Sequence, residues 1–266
     1  MQKYKIIDFH THPFDADEYN ICKHLSHCDM SKENTKRDLQ QLGVVKICGS
    51  VVGRPQKTPD FAYIKHLNDK ALELRDYYQG FYVPGFHVNP HFVKESIAEI
   101  ERMHKLGVNL VGELVPYHHC WQDYSCKEFS SILEVIDHYK MVVSVHSHTD
   151  YVEERVKQMD DMVKKHPNVK FVGAHVCDGA LFNSHLNRML NNANYYVDLS
   201  GGGISRHGVL KHLIDECGAD RILFGSDYPI CNPSMYVGGV TLDYLISEEN
   251  KQKILYDNAV KLLNLE

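Results

Sequence analysis

Short apolar runs alternate with longer amphipathic segments along almost the whole chain. Several runs are nearly continuous in apolar residues, such as MVVSV at 141–145 and RILFG at 221–225. Such runs are typical of strands that are covered on both faces in a parallel sheet. The pattern predicts eight strands, at Tyr4–Phe9, Val44–Gly49, Gly80–Val88, Asn109–Val115, Met141–Val145, Val169–Ala174, Tyr195–Leu199 and Arg221–Gly225.

The segments between the strands carry apolar residues at helical spacing. Phe92–Leu106 shows one such face and is followed by Gly107, a residue favoured just past a helix end. The same spacing predicts helices at Ser131–Tyr139, Val152–His166, Val209–Cys217 and Asn250–Leu263. Eight strands alternating with helices predict an α/β protein with a (β/α)₈ barrel. Because no linker or low-complexity tract interrupts the pattern, we expect a single domain over residues 1–266.

A doubly wound open sheet is the main structural alternative. Its first strand is normally followed by a glycine-rich phosphate loop, whereas here it ends in His-Thr-His. Three stretches depart from the regular alternation, Pro13–Asp29, Pro116–Cys126 and Asp227–Thr241, and all follow predicted strands. In a barrel the loops after the strands form the catalytic face, so we expect these stretches to shape a substrate pocket.

Good metal ligands break the apolar runs at five predicted strand ends. His10 and His12 are two residues apart, so an extended chain points both imidazoles to the same side. Four further candidates stand at the ends of later strands: Glu113, His146, His175 and Asp227. If the barrel forms, these side chains converge on one axis, where imidazole and carboxylate suit Zn²⁺ first, or Mn²⁺ or Fe²⁺.

Composition narrows the classes of function. The chain has 18 histidines among 266 residues, and its net charge of −6 argues against bulk binding to nucleic acid or to anionic membranes. No apolar stretch approaches the roughly 20 residues that span a bilayer. The eight cysteines, the length and the lack of a signal-peptide pattern at the start favour reduced thiols and a cytoplasmic location.

Five segments resemble the amidohydrolase superfamily of metal-dependent TIM-barrel enzymes, in particular its amidohydrolase 2 branch. They are, in chain order, IIDFHTHPF, LVGELVP, VSVHSH, FVGAHVCDG and RILFGSDYP. The resemblance implies that His10, His12 and His146 bind metal, as does Asp227, which also moves a proton. It implies that His175 binds a second metal or contacts the attacking water or the substrate, and that Glu113 bridges two ions where there are two. Because relatives in this superfamily often form homo-oligomers, the resemblance also implies a homo-oligomer.

The expected activity is hydrolysis of an amide, ester or lactone in a small organic substrate. A bound divalent ion lowers the pKa of its water to about 7, and Asp227 would serve as the general base. The alternative is non-oxidative decarboxylation or hydration of a carboxylated ring or dienoic acid, which the same ligands serve. Two further hypotheses are a TatD-like metal-dependent nuclease, which the net charge disfavours, and a barrel that only binds a ligand or a metal.

Several loop residues are candidates for substrate contact. Arg54 and Arg206 follow strands 2 and 7 and suit a carboxylate, which guanidinium binds with two hydrogen bonds. Tyr117 belongs to a predicted pocket loop with His118 and His119, and His148 follows His146. Cys22, His24, His27 and Cys28 are residue types that bind zinc, but their spacing is unlike that of common zinc fingers. A loop at the edge of the pocket is the simpler interpretation of this motif.

Overall fold

The computed structural model describes residues 3–15, 30–147, 151–176, 179–202 and 204–265. Eight parallel strands form one sheet in sequential order β1 to β8. Their bounds are β1 Ile6–Asp8, β2 Val44–Ser50, β3 Tyr82–Phe86, β4 Leu110–Leu114, β5 Val142–His146, β6 Lys170–Ala174, β7 Tyr195–Asp198 and β8 Ile222–Leu223. All eight predicted strands are present, several of them shorter than predicted.

Backbone hydrogen bonds join the first and last strands and close the sheet into a barrel. Phe9 N donates to Phe224 O at 2.8 Å, and beyond the strands Thr11 forms a parallel bridge with Tyr228. The observed fold is therefore the predicted (β/α)₈ TIM barrel. This seam also fixes the two segments that carry His10, His12 and Asp227 side by side.

Within the described residues, seven helices connect successive strands on the outside of the sheet, and three more follow β8. They are α1 Lys32–Gln41, α2 Phe61–Tyr78, α3 Val93–Lys105, α4 Lys127–His138, α5 Glu153–Lys165, α6 Gly179–Asn191, α7 Val209–Cys217, α8 Pro233–Thr241, α9 Glu248–Gln252 and α10 Asn258–Leu263. In α2, for example, Asp60 caps the helix by accepting from Ala62 N at 2.9 Å. The stretch predicted as an irregular loop after β8 contains α8, which begins with Pro233 after the capping residue Asn232.

Two apolar clusters form the core. The larger lies between the strands and the surrounding helices. The smaller joins residues of non-adjacent strands, including Ile7, Leu110 and Val172, which can meet only inside the barrel. Leu262 and Leu263 of α10 belong to this inner cluster, so the C-terminal helix closes one end of the barrel. None of the helices in the described part of the chain is long and apolar enough to cross a bilayer.

Candidate metal centre and active site

His10 and His12 lie just beyond β1, in the extended segment of the barrel seam. His10 O accepts from Asp227 N at 2.8 Å, and His12 N donates to Tyr228 O at 2.7 Å. The two Nε2 atoms are 3.3 Å apart. The Nδ1 atom of His12 lies 3.0 Å from Ser50 O; since a carbonyl only accepts, Nδ1 carries a proton there and Nε2 faces the Nε2 atom of His10.

Glu113 stands between two pairs of imidazoles. Its Oε2 atom is 3.4 Å from the Nε2 atoms of both His10 and His12. Its Oε1 atom is 3.0 Å from His146 Nδ1 and 3.4 Å from His175 Nε2. All five side chains are less than a tenth exposed. The two groups of three that can each hold an ion, His10–His12–Glu113 and Glu113–His146–His175, therefore share this carboxylate.

Asp227 completes the side of the cluster at the seam. Its Oδ1 atom is 3.4 Å from His12 Nε2 and 3.6 Å from His10 Nε2, and it is buried without a hydrogen-bond partner. A buried carboxylate oxygen with no donor is costly unless a cation faces it. Two ligands about 2.1 Å from one ion at a tetrahedral angle are about 3.4 Å apart, which is the spacing observed here. The donor set and its geometry thus fit a divalent ion.

The electrostatics of the cluster favour positive charge. Burial lowers the pKa of His10, but the Asp198 and Glu113 carboxylates outweigh it and hold that pKa well above the usual histidine value. Burial likewise disfavours the charged form of Glu113, yet the surrounding histidines bring the pKa of its carboxyl well below the usual range. The Glu113 carboxylate is therefore ionised at neutral pH and suited to a cation.

Asp198 and Ser200, at the end of β7, contact the candidate metal centre and were not singled out by the sequence analysis. Asp198 Oδ2 is 2.9 Å from His10 Nδ1, so the carboxylate orients the imidazole and leaves Nε2 free. Ser200 Oγ lies 3.1 Å from His10 Nδ1 and 3.0 Å from His175 Nδ1. The signal was present in the sequence, because Asp198 interrupts the apolar run at Tyr195–Leu199.

A cavity of about 280 Å³ opens beside the cluster. This is slightly below the usual range for drug-sized ligands, so it suits a smaller molecule. Its lining combines the candidate ligands with apolar, aromatic and glycine positions: His12, Val52, Glu113, Val115, Tyr117, His118, His146, His175, Gly201, Gly202, Asp227 and Ile230. Within the described ranges, no lysine or arginine lines it.

The predicted substrate contacts fall into three groups. Tyr117 lines the cavity, and its ring centroid is 5.5 Å from that of His146. Arg54 and Arg206 are exposed and outside the lining; Arg54 N donates to Tyr63 Oη at 3.0 Å. His148 and the motif at 22–28 lie outside the described residues.

Comparison with known proteins identifies the class. The family model described as Amidohydrolase, of the amidohydrolase 2 type, matches residues 7–265, so the chain belongs to this family. No curated protein sequence matches the chain. The family membership confirms the resemblance noted in the sequence.

Solved structures with the same fold cover nearly the whole chain. A 2,6-dihydroxybenzoate decarboxylase from Rhizobium has a TM-score of 0.77 at 17% identity, covering 98% of this chain and 99% of its own. A 5-carboxyvanillate decarboxylase from Sphingomonas paucimobilis has a TM-score of 0.74 at 15% identity, covering 99% and 100%. A dihydroxybenzoic acid decarboxylase from Polaromonas, with bound manganese and the inhibitor 2-nitroresorcinol, has a TM-score of 0.75 at 16% identity, covering 98% and 97%.

Proposed function

We propose that the protein is a metal-dependent decarboxylase that removes CO₂ from a small carboxylated aromatic acid. The observation that carries the proposal is the cluster of His10, His12, Glu113 and Asp227 atoms at ligand-to-ligand distances, beside a cavity suited to a molecule below drug size. The names of the structural neighbours support decarboxylation over the hydrolysis that the sequence analysis placed first.

One divalent ion would be held by His10, His12, Glu113 and Asp227. Glu113 together with His146 and His175 offers a position for a second ion. When bound, the ion supplies Lewis acidity that orients and polarises the oxygens of the substrate. Manganese in one of the neighbours makes Mn²⁺ the first ion to test, beside the Zn²⁺ expected from the ligand types.

Asp227 is the residue placed to deliver the proton that decarboxylation needs. Glu113 has imidazoles at hydrogen-bond or ion-pair distance from both of its oxygens, whereas Asp227 lines the cavity with one oxygen outside the ligand cluster. Asp227 would take up a proton from solvent and pass it to the ring carbon that bears the substrate carboxylate. The bond from that carbon to the carboxylate then breaks, CO₂ leaves, and the ring keeps the added hydrogen.

The walls of the cavity suit the aromatic ring of the proposed substrate. Val52, Val115 and Ile230 are apolar, and the Tyr117 ring forms one side. Since no described arginine or lysine lines the cavity, the carboxylate of the substrate would meet imidazoles and the metal site instead of a guanidinium or ammonium group.

Hydrolysis of an amide, ester or lactone is the second candidate, because the family carries that description and the same ligands suit a metal-activated water. Protein loaded with Mn²⁺ or Zn²⁺ should be incubated in D₂O with hydroxylated and methoxylated benzoic acids, and with an ester and lactone panel. We expect CO₂ release with one deuterium incorporated at the vacated ring carbon.

A matched pair of variants makes the assay specific. Asp227→Asn should abolish CO₂ release, whereas Asp215→Asn, on the exposed side of α7, should leave it unchanged. Turnover confined to the esters or lactones would replace decarboxylation by hydrolysis. Release of CO₂ at the same rate in Asp227→Asn would remove the proposed role of that carboxylate.

A further inference from the structure

The cavity beside the candidate metal centre is buried at one end and open at the other. The candidate metal ligands that line it are each less than a tenth exposed and form its floor: His12, Glu113, His146, His175 and Asp227. Val52 and Val115 are equally buried and form its inner wall. Tyr117 is 51% exposed and Ile230 is 44% exposed, so these two hydrophobic side chains mark the mouth of the cavity.

The two side chains at the mouth come from opposite sides of the barrel. Tyr117 follows β4 and Ile230 follows β8. The eight strands are in sequential order and the sheet is closed between β1 and the end of β8, so β4 and β8 face each other across the barrel axis. Because Tyr117 and Ile230 line the same cavity, they bracket its opening.

Local contacts hold both residues of the mouth in place. Tyr117 lies in a 3-10 turn, and its ring packs edge-on against His118 and His146, with centroid distances of 4.8 and 5.5 Å. Ile230 N donates to Asp227 O at 2.8 Å in the turn after β8. The mouth is therefore formed before a ligand enters, which lowers the cost of ordering it on binding.

An aromatic acid bound for decarboxylation has a defined orientation in this cavity. Its carboxylate and the carbon that bears it lie at the floor, beside Asp227. The opposite ring carbon, in the para position, then points to the mouth, between Tyr117 and Ile230. An apolar group at that carbon would cover half-exposed apolar surface, which stabilises the complex. A charged group there would find no cationic partner, since no lysine or arginine among the described residues lines the cavity.

We propose that Tyr117 and Ile230 are specificity-determining residues that enclose an apolar substituent in the para position of the substrate ring. The substrate class is then a benzoic acid with an alkyl or similar uncharged group opposite its carboxylate, and not a ring dicarboxylate. The orientation of the ring rests on the proposed function, whereas the apolar mouth does not.

Binding of a homologous series of acids tests the inference directly. Protein loaded with Mn²⁺ is titrated by calorimetry with benzoate, with its para-methyl, para-ethyl and para-propyl derivatives, and with terephthalate. Complete burial of a methylene group raises affinity about fourfold, so at a half-exposed mouth we expect about two- to fourfold for each added carbon. Terephthalate should bind no more tightly than benzoate, because its second carboxylate gains no partner.

Variants of the two residues locate the effect. Ile230→Ala and Tyr117→Ala should each reduce the gain per carbon to less than about half, whereas Tyr117→Phe, which keeps the ring, should retain it. Leu242→Ala and Tyr244→Ala are the matched controls, since both side chains are 81% exposed and lie outside the lining. Equal affinity along the series in the wild type, or the wild-type gain in both Ile230→Ala and Tyr117→Ala, overturns the inference. Tighter binding of terephthalate than of the para-ethyl acid does the same.

The outcomes also separate this inference from the proposed function. Affinity that rises along the series in a protein that releases CO₂ from no acid would keep the apolar mouth and remove the decarboxylase. Release of CO₂ with a KM that is independent of the para substituent would do the reverse. Absence of binding by every acid of the series, with or without Mn²⁺, would overturn the inference.

Discussion

Substitution of Gly225 by alanine tests how closely the end of β8 packs against the first histidine of the site. A Cβ atom at 225 would lie 2.7 Å from His10 Cβ and 3.2 Å from Asp198 Oδ1. The first distance is about 0.7 Å shorter than an ordinary contact of 3.4 Å. The His10 Cβ atom cannot swing away, because the backbone of His10 is held by its bond to Asp227 N at 2.8 Å.

The expected cost follows from this overlap. Overpacking a buried position typically lowers the free energy of unfolding by about 1–3 kcal/mol. In a chain of this length each kcal/mol shifts Tm by about 2–4 °C, so Gly225→Ala should lower Tm by about 2–12 °C. His10 should also move by a few tenths of an ångström, which should reduce turnover by about three- to tenfold, since misplacement by 1 Å costs about a hundredfold.

Thermal unfolding of the metal-free protein measures the first effect, and metal titration with CO₂ release measures the second. The control is Gly238→Ala in α8, where a Cβ atom would meet nothing within 4 Å. It should raise stability by about 0.5–1 kcal/mol, as alanine does in a helix interior, and leave the site unchanged. Wild-type Tm and metal affinity in Gly225→Ala would refute the close packing of β8 on His10.

Three further predictions concern single side chains. Asp198→Asn should weaken metal binding by about 10–100-fold, since an amide cannot accept from both His10 Nδ1 and Ser200 N, and unchanged affinity in a titration would count against it. Asp227→Asn should keep the wild-type Tm but lose at least about a hundredfold in kcat, because the amide delivers no proton; retained kcat would contradict this. Burial lowers the pKa of His185 to about 3, below its unfolded value of about 6.5, so the unfolded chain binds the proton first and stability falls as the pH drops between these values. His185→Gln should flatten that fall by up to about 1.4 kcal/mol per pH unit in urea unfolding, and equal slopes in both proteins would show that His185 is not its source.

The strands could be predicted because a parallel barrel covers both of their faces, which leaves an apolar run with few polar interruptions. The candidate metal ligands stood out for the same reason: Glu113, His146 and His175 each follow such a run. The helix α8 was missed, because its residues PSMYVGGVT include two glycines and lack a clear apolar face. Its start depends on the Asn232 cap and on Pro233, which are short-range signals.

The side-chain contacts between different strand ends could not be predicted from the sequence. That Glu113 contacts imidazoles with both oxygens, and that Ser200 stands behind two of those imidazoles, depends on distances across the barrel between β4, β5, β6 and β7. Residue type and spacing also failed to separate Tyr117, which lines the cavity, from Arg54, which is exposed. Loop geometry decides such contacts, and one-dimensional periodicity carries no information about it.

The metal content of the protein tests most directly whether His10, His12, Glu113 and Asp227 hold a divalent ion. Elemental mass spectrometry should be applied to wild type, to the His10→Ala/His12→Ala double variant and to a His104→Ala/His138→Ala control on exposed helix positions. We predict about one or two equivalents of a transition metal in the wild type and the control, and none in the His10/His12 variant. No bound metal in the wild type after reconstitution with Mn²⁺ and Zn²⁺, or equal metal in all three proteins, would contradict the account.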